Sequence, residues 1–141
     1  MSASSASSSG GNFPALQRLT PVLVVDSVTD CLPFWTERLG FELTTQVPGA
    51  DGSTVFAILE GSGIEIMYQS VASVLEDGTV TRAELDGHSV ALFITVQSLD
   101  EVERHLAGAP VVKPRHDTFY GSTEIYVKEP GGNTVGFAQM K

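Results

Sequence analysis

One cysteine, Cys31, stands in 141 residues, so no internal disulfide can form and the chain suits a reducing compartment such as the cytoplasm. Basic residues are scarce: eight Lys and Arg face seventeen Asp and Glu, for a formal charge of −9. Nucleic-acid binding needs a basic face to neutralise phosphates, and this composition argues against one. No apolar run approaches the roughly 18–20 residues that span a bilayer, which excludes an integral helical membrane protein. His-Glu-x-x-His and Cys-x-x-Cys spacings are missing, so no metal-binding signature stands out. What remains is a chain with 42% hydrophobic and 18% charged residues, enough to build a real core in one domain.

Met1 to Asn12 is half serine and carries neither the basic nor the apolar region of a secretory leader. A disordered tail is expected over 1–12, with a single folded domain over 13–141. Pro21 to Val25 is a short β-branched run that reads as a strand buried on both faces. A helix follows; Ser27 and Asp30 resemble a capping box, but Asp30 is an alternative N-cap, favoured because it places Pro33 in the first turn. Leu32, Trp35 and Leu39 fall at helical spacing, Trp35 reads as a core residue, and Gly40 ends the helix. Strands are expected over 41–47, 54–59 and 64–68, with turns at Pro48-Gly49-Ala50-Asp51-Gly52 and Gly61-Ser62-Gly63.

The second half repeats that grammar. Val90 to Val96 reads as a strand, and Ser98 with Glu101 as a helix start. Leu99, Val102 and Leu106 line one helix face that stops at Gly108. Strands follow over 110–114, 124–128 and 134–140, with Pro130-Gly131-Gly132-Asn133 as the last tight turn. The fold is therefore α+β, with tandem βαβββ modules over about 19–69 and 88–140. An acidic, polar linker of residues 70–87, with one helical turn near Val71 to Leu75, joins them.

This repeat, with Leu39-Gly40-Phe41 after the first helix and Pro130-Gly131-Gly132-Asn133 near the end, resembles the vicinal oxygen chelate superfamily. That superfamily includes glyoxalase I, extradiol dioxygenases, fosfomycin-resistance enzymes and bleomycin-resistance binding proteins. The resemblance covers about Leu19 to Met140. It implies a curved, barrel-like mixed sheet around a cavity, and homodimers in which the sheets of two chains pack or exchange. It also implies, for the metalloenzymes, four metal ligands, one on the first and one on the last strand of each module.

Aligned on Phe34-Trp35 and on Pro130, the four ligand positions fall on Thr20, Glu65, Ala91 and Gly136. Each pair is separated by 71 residues, so the two modules are in register. A divalent metal needs three or four imidazole or carboxylate ligands, and only Glu65 qualifies. No metal and no other cofactor are therefore expected. Of the histidines, His88 is out of phase with the ligand positions and His105 belongs to a charged helix stretch. His116 lies near the expected cavity rim.

Strand parity places Val22, Val24, Gly63, Met67, Phe93, Thr95, Thr134 and Ala138 on the same side as the four positions. Tyr126 joins them at a place where extradiol-type relatives put a substrate-contacting tyrosine. Phe56, Phe119 and Tyr120 are expected at the rim. The candidate ligand-binding set is Glu65, Met67, Phe93, Tyr126, Thr20, Phe56, Phe119, Tyr120 and His116. Two readings of Phe93 and Met67 stay open, cavity wall or filled core. Glu65 either meets a cationic or hydroxylated ligand, or acts as a base, or is a satisfied polar residue bonded to Thr20 or Tyr126. The wall suits a small organic molecule, with antibiotics among the candidates. The alternative is a lyase or dioxygenase-type enzyme with an atypical site, using Glu65 and Tyr126 as acid–base groups.

Overall fold

The computed structural model describes residues 13–141; the tail expected over 1–12 lies outside the described residues. Eight strands form two separate four-stranded sheets. The first holds β1 (Val22–Val25), β2 (Glu42–Pro48), β3 (Thr54–Gly61) and β4 (Ile64–Ser70) in the order β1-β4-β3-β2. The second holds β5 (Ala91–Thr95), β6 (Val111–Asp117), β7 (Ser122–Lys128) and β8 (Thr134–Met140) in the order β5-β8-β7-β6. In each, the first strand pairs parallel to the last and the other ladders are antiparallel. The internal repeat is thus real in three dimensions. The expected single barrel-like sheet is replaced by two sheets that do not close on one another.

Each module places a helix on one face of its sheet. In the first, α1 (Val28–Pro33) is capped by Ser27, whose side chain accepts from the Asp30 amide. This corrects the later start at Asp30, and Pro33 sits at the end of α1 rather than in its first turn. Proline has no N–H to continue the i→i−4 ladder, and the chain runs on as a π-helical turn over Phe34–Arg38. Gly40 then leaves the helix at φ 73°, a conformation costly for a residue with a Cβ. In the second module, α4 (Leu99–His105) is capped by Ser98 in the same way. The linker is more helical than expected: α2 (Val71–Asp77) and α3 (Arg82–Leu85), the latter closed by a Thr81–Glu84 capping box.

Parity explains the packing. Leu23 and Val25, Ala57 and Leu59, Ile66 and Tyr68, Ile125 and Val127, Val135 and Phe137 all face the helices, forming one core with Trp35, Leu99 and Leu106. Each such fully buried Leu, Val or Phe contributes about 1.5–3 kcal/mol. The alternate residues, including Val22 and Val24, face away, so β1 is buried on one face rather than two. A polar tie crosses the modules inside this core. The Tyr68 hydroxyl accepts from Trp35 Nε1 at 2.9 Å and donates to Glu129 at 2.5 Å. Glu129 Oε1 in turn accepts from the Asn133 amide and side chain at 2.6 and 3.0 Å. Gly131 in that turn is forced by space, because a Cβ there would sit 2.5 Å from Val25 and 3.1 Å from Cys31 Sγ. Burial, reinforced by Glu129, pushes the Cys31 thiol up to about 12. Cys31 is accordingly an inert core residue.

Candidate functional site

The faces turned away from the helices carry the candidate residues. On the first sheet these are Val22, Phe56, Glu65 and Met67; Met67 pairs with Val22 on one side and with Ile58, not itself a candidate, on the other. On the second, Phe93 pairs with Gly136, which pairs with Tyr126, while Thr95, Ala138 and Glu124 form the next row. Phe93 is 53% exposed and Met67 half-buried, and neither belongs to the core. The filled-core reading of these two residues is therefore set aside.

Glu65 sits where β4 starts. Its Oε1 accepts from Thr20 Oγ1 at 2.7 Å, and its Oε2 lies 3.0 Å from the Arg18 guanidinium. The Thr20 hydroxyl, and then Arg18, hold its carboxyl below the usual carboxylate range against the opposing effect of desolvation. Of the expected partners, Thr20 is present and Tyr126 is not, being on the other sheet of the same chain. Arg18 was not anticipated, because it lies in a segment without periodicity. A cleft of about 700 Å³ runs along this position, lined by Arg18, Glu65, Ile66, Leu92 and Phe93 among others. It groups Glu65 with Phe93; Met67 and Tyr126 lie outside it.

The second polar group is one that sequence reasoning overlooked. Glu124 is 1% exposed and accepts three hydroxyls: Tyr120 at 2.6 Å and Ser122 at 2.7 Å on Oε2, Tyr126 at 2.9 Å on Oε1. The alternation Ser122-x-Glu124-x-Tyr126 was the available clue, since it puts all three on one face of β7. Burial alone pushes the Glu124 carboxyl up, but the hydroxyls of Tyr120, Ser122 and Tyr126, with His116 nearby, bring it below the usual range. The same contact, after burial, pushes the Tyr126 phenol up to about 12. His116 lies opposite Glu124 on β6, its ring stacked on Tyr126 at 6.3 Å and its Nδ1 donating to the Pro114 carbonyl at 2.8 Å. Phe119 is fully exposed and packs edge-on against Tyr120 at 5.2 Å. His105 lies on the exposed surface, where Nδ1 meets the Glu101 carbonyl.

A family model described as Glyoxalase/Bleomycin resistance protein/Dioxygenase superfamily matches residues 16–137. The chain belongs to this superfamily. A protein of Mycobacterium bovis, described only as uncharacterized, is 30% identical over 124 residues, which is 86% of this chain and 82% of that protein. Among solved structures, TioX from Micromonospora sp. ML1 superposes with a TM-score of 0.73 at 22% identity, over 89% of this chain and 99% of that one. The lactoylglutathione lyase of Agrobacterium tumefaciens does so with a TM-score of 0.67 at 16% identity, over 89% and 95% of the two chains. These likenesses are likenesses of fold.

The superfamily's metal positions can be tested on the geometry. Among the described residues no three His, Cys, Asp or Glu side chains converge. Ala91 and Gly136 offer no donor, and the space beside Gly136 is taken. A Cβ built there would fall 2.7 and 2.9 Å from Cδ2 and Cζ of Tyr126, and closer still to Cε2. The ring stands where a ligating side chain would have to begin, and Glu65 is already committed to Thr20 and Arg18. The four positions do not fit a chelated divalent metal.

Proposed function

We propose that the chain is a binding protein of the superfamily that holds a small organic molecule, antibiotics included, without a catalytic metal. The observation that carries this reading is Tyr126 lying over Gly136, which exchanges a ligand position for an aromatic wall. Phe93 adds apolar surface on the same sheet, and Met67 and Phe56 add it on the other. Thr20, Glu65, Tyr120, Tyr126 and His116 supply a few polar contacts, the mixture that small-molecule sites use. The acid–base alternative has less support, since Glu65 and Tyr126 lie on different sheets and their carboxyl and phenol are displaced away from neutral pH in opposite directions.

The inner faces of the two sheets are open in one chain, with Val22, Phe93 and Met140 exposed. That supports a homodimer in which a second copy completes the cavity, in keeping with superfamily members that pair. The buried free thiol of Cys31 favours a cytoplasmic setting. Sedimentation should give twice the 15.0 kDa of one chain; a monomer at micromolar concentration refutes the dimer.

A thermal-shift screen of antibiotics and aromatic metabolites, with elemental analysis of protein purified without chelator, tests the binding reading. A ligand at 100 times its dissociation constant stabilises by about 2.7 kcal/mol, roughly 5–15 °C for a domain of this size. Hits with no stoichiometric metal are expected. About one metal per chain, lost on Glu65→Ala, would sink the reading.

A further inference from the structure

Two carboxylates stand on the inner faces, and their charges are handled differently. Glu65 has a cation of its own, Arg18 at 3.0 Å. Glu124 has no such contact: among the described residues its oxygens take part in no ion pair within 4.0 Å, and His116, opposite it on β6, acts on its charge only through space. A buried charge that is hydrogen-bonded but not neutralised is costly for the fold. Its three donors do more than satisfy it. Tyr120 and Tyr126 each direct their proton inward to Glu124, so the remaining lone pairs of both phenols are polarised acceptors. Tyr120 is 51% exposed and Tyr126 partly so, so both side chains keep surface outside the cluster. Phe119 against Tyr120, and His116 against Tyr126, extend the aromatic surface on either side.

We propose that this cluster binds the positively charged head of the ligand, an ammonium or amidinium-type group, against the Tyr120 and Tyr126 oxygens with the Glu124 charge behind them. The inference rests on the small-molecule reading above and adds to it a ligand class and the residue that selects it. Nothing covalent is involved. The cation neutralises Glu124 through the two phenols and gains from the neighbouring ring faces. Glu65, already neutralised by Arg18, does not select for charge.

The test is an NMR titration of the full-length protein with 2-phenylethylammonium and with 2-phenylethanol, which share a ring and spacer and differ in charge. The cation is expected to bind about tenfold more tightly than the alcohol and to shift ring signals of Tyr120, Tyr126 and His116. Glu124→Gln should abolish that preference by weakening the cation alone; the wild-type comparison stands whether or not this variant folds. Equal affinity for the two probes overturns the charge assignment while leaving the small-molecule reading intact. Shifts confined to Glu65 and Phe93, or a cation preference that survives in folded Glu124→Gln, overturn it too. If neither probe binds and the wider screen is silent, the small-molecule reading itself has failed.

Discussion

Replacing Gly136 by alanine tests the geometry on which the metal argument depends. The backbone at Gly136 is outside the left-handed region, so alanine meets no dihedral penalty and the effect is one of space alone. The new methyl would lie inside contact distance of three ring atoms of Tyr126. Tyr126 has little freedom to yield, being bonded to Glu124 at 2.9 Å and stacked on His116. Overpacking of this kind costs about 1–3 kcal/mol, and alanine recovers roughly 0.5–1 kcal/mol that glycine loses in a strand. The net expectation is a loss centred on about 1 kcal/mol within a span of about 0–2.5 kcal/mol, or roughly 3–6 °C in Tm at the centre for a domain of this size. The sign should reverse once the ring is gone: in a Tyr126→Ala background, Gly136→Ala should stabilise by about 0.5 kcal/mol. The coupling in this double-mutant cycle, about 2 kcal/mol, is read from urea unfolding followed by circular dichroism. The same change in stability in both backgrounds would show that Tyr126 does not fill this space.

Tyr68→Phe removes the hydroxyl between Trp35 and Glu129 and leaves a buried N–H and a buried carboxyl each short of a partner. A loss of about 1–3 kcal/mol is expected, with altered Trp35 fluorescence in the native state; unchanged stability and emission would mean that the cross-module tie carries nothing. Thr20→Val removes the contact that does most to hold the Glu65 carboxyl low. The Glu65 titration, followed by carboxyl-carbon NMR, should move up toward the ordinary carboxylate value. Because the folded value lies below the unfolded one, the Glu65 contribution is present above the unfolded pKa and fades as pH falls through the folded one. In Thr20→Val the contribution should be smaller and its fading complete at higher pH, because the folded value moves up toward an unchanged unfolded one, and an unmoved titration contradicts the assignment.

The tandem strand–helix–strand grammar, the Ser98 helix start and the Pro130-Gly131-Gly132-Asn133 turn were legible because they are short-range. Periodicity, capping and turn chemistry act within a few residues, and the superfamily follows from their order. Parity along single strands, counted from positions that the resemblance supplied, put Phe93 and Met67 on the faces turned away from the helices. Even local rules failed where two competed: Pro33 argued for a helix start at Asp30, whereas the chain kept the Ser27 cap and continued past the proline in a π-helical turn. The choice of partners lay beyond the sequence. Whether the two sheets close on one another is decided by how both modules bury their helix faces in one core. That Glu65 meets Arg18 rather than Tyr126 depends on where an aperiodic segment crosses the first sheet. The Glu124 cluster needs both the alternation on β7 and the turn that brings Tyr120 back over it. Hydrogen bonds and ion pairs reach only a few ångströms, so contacts between segments form only after tertiary packing has brought those segments together.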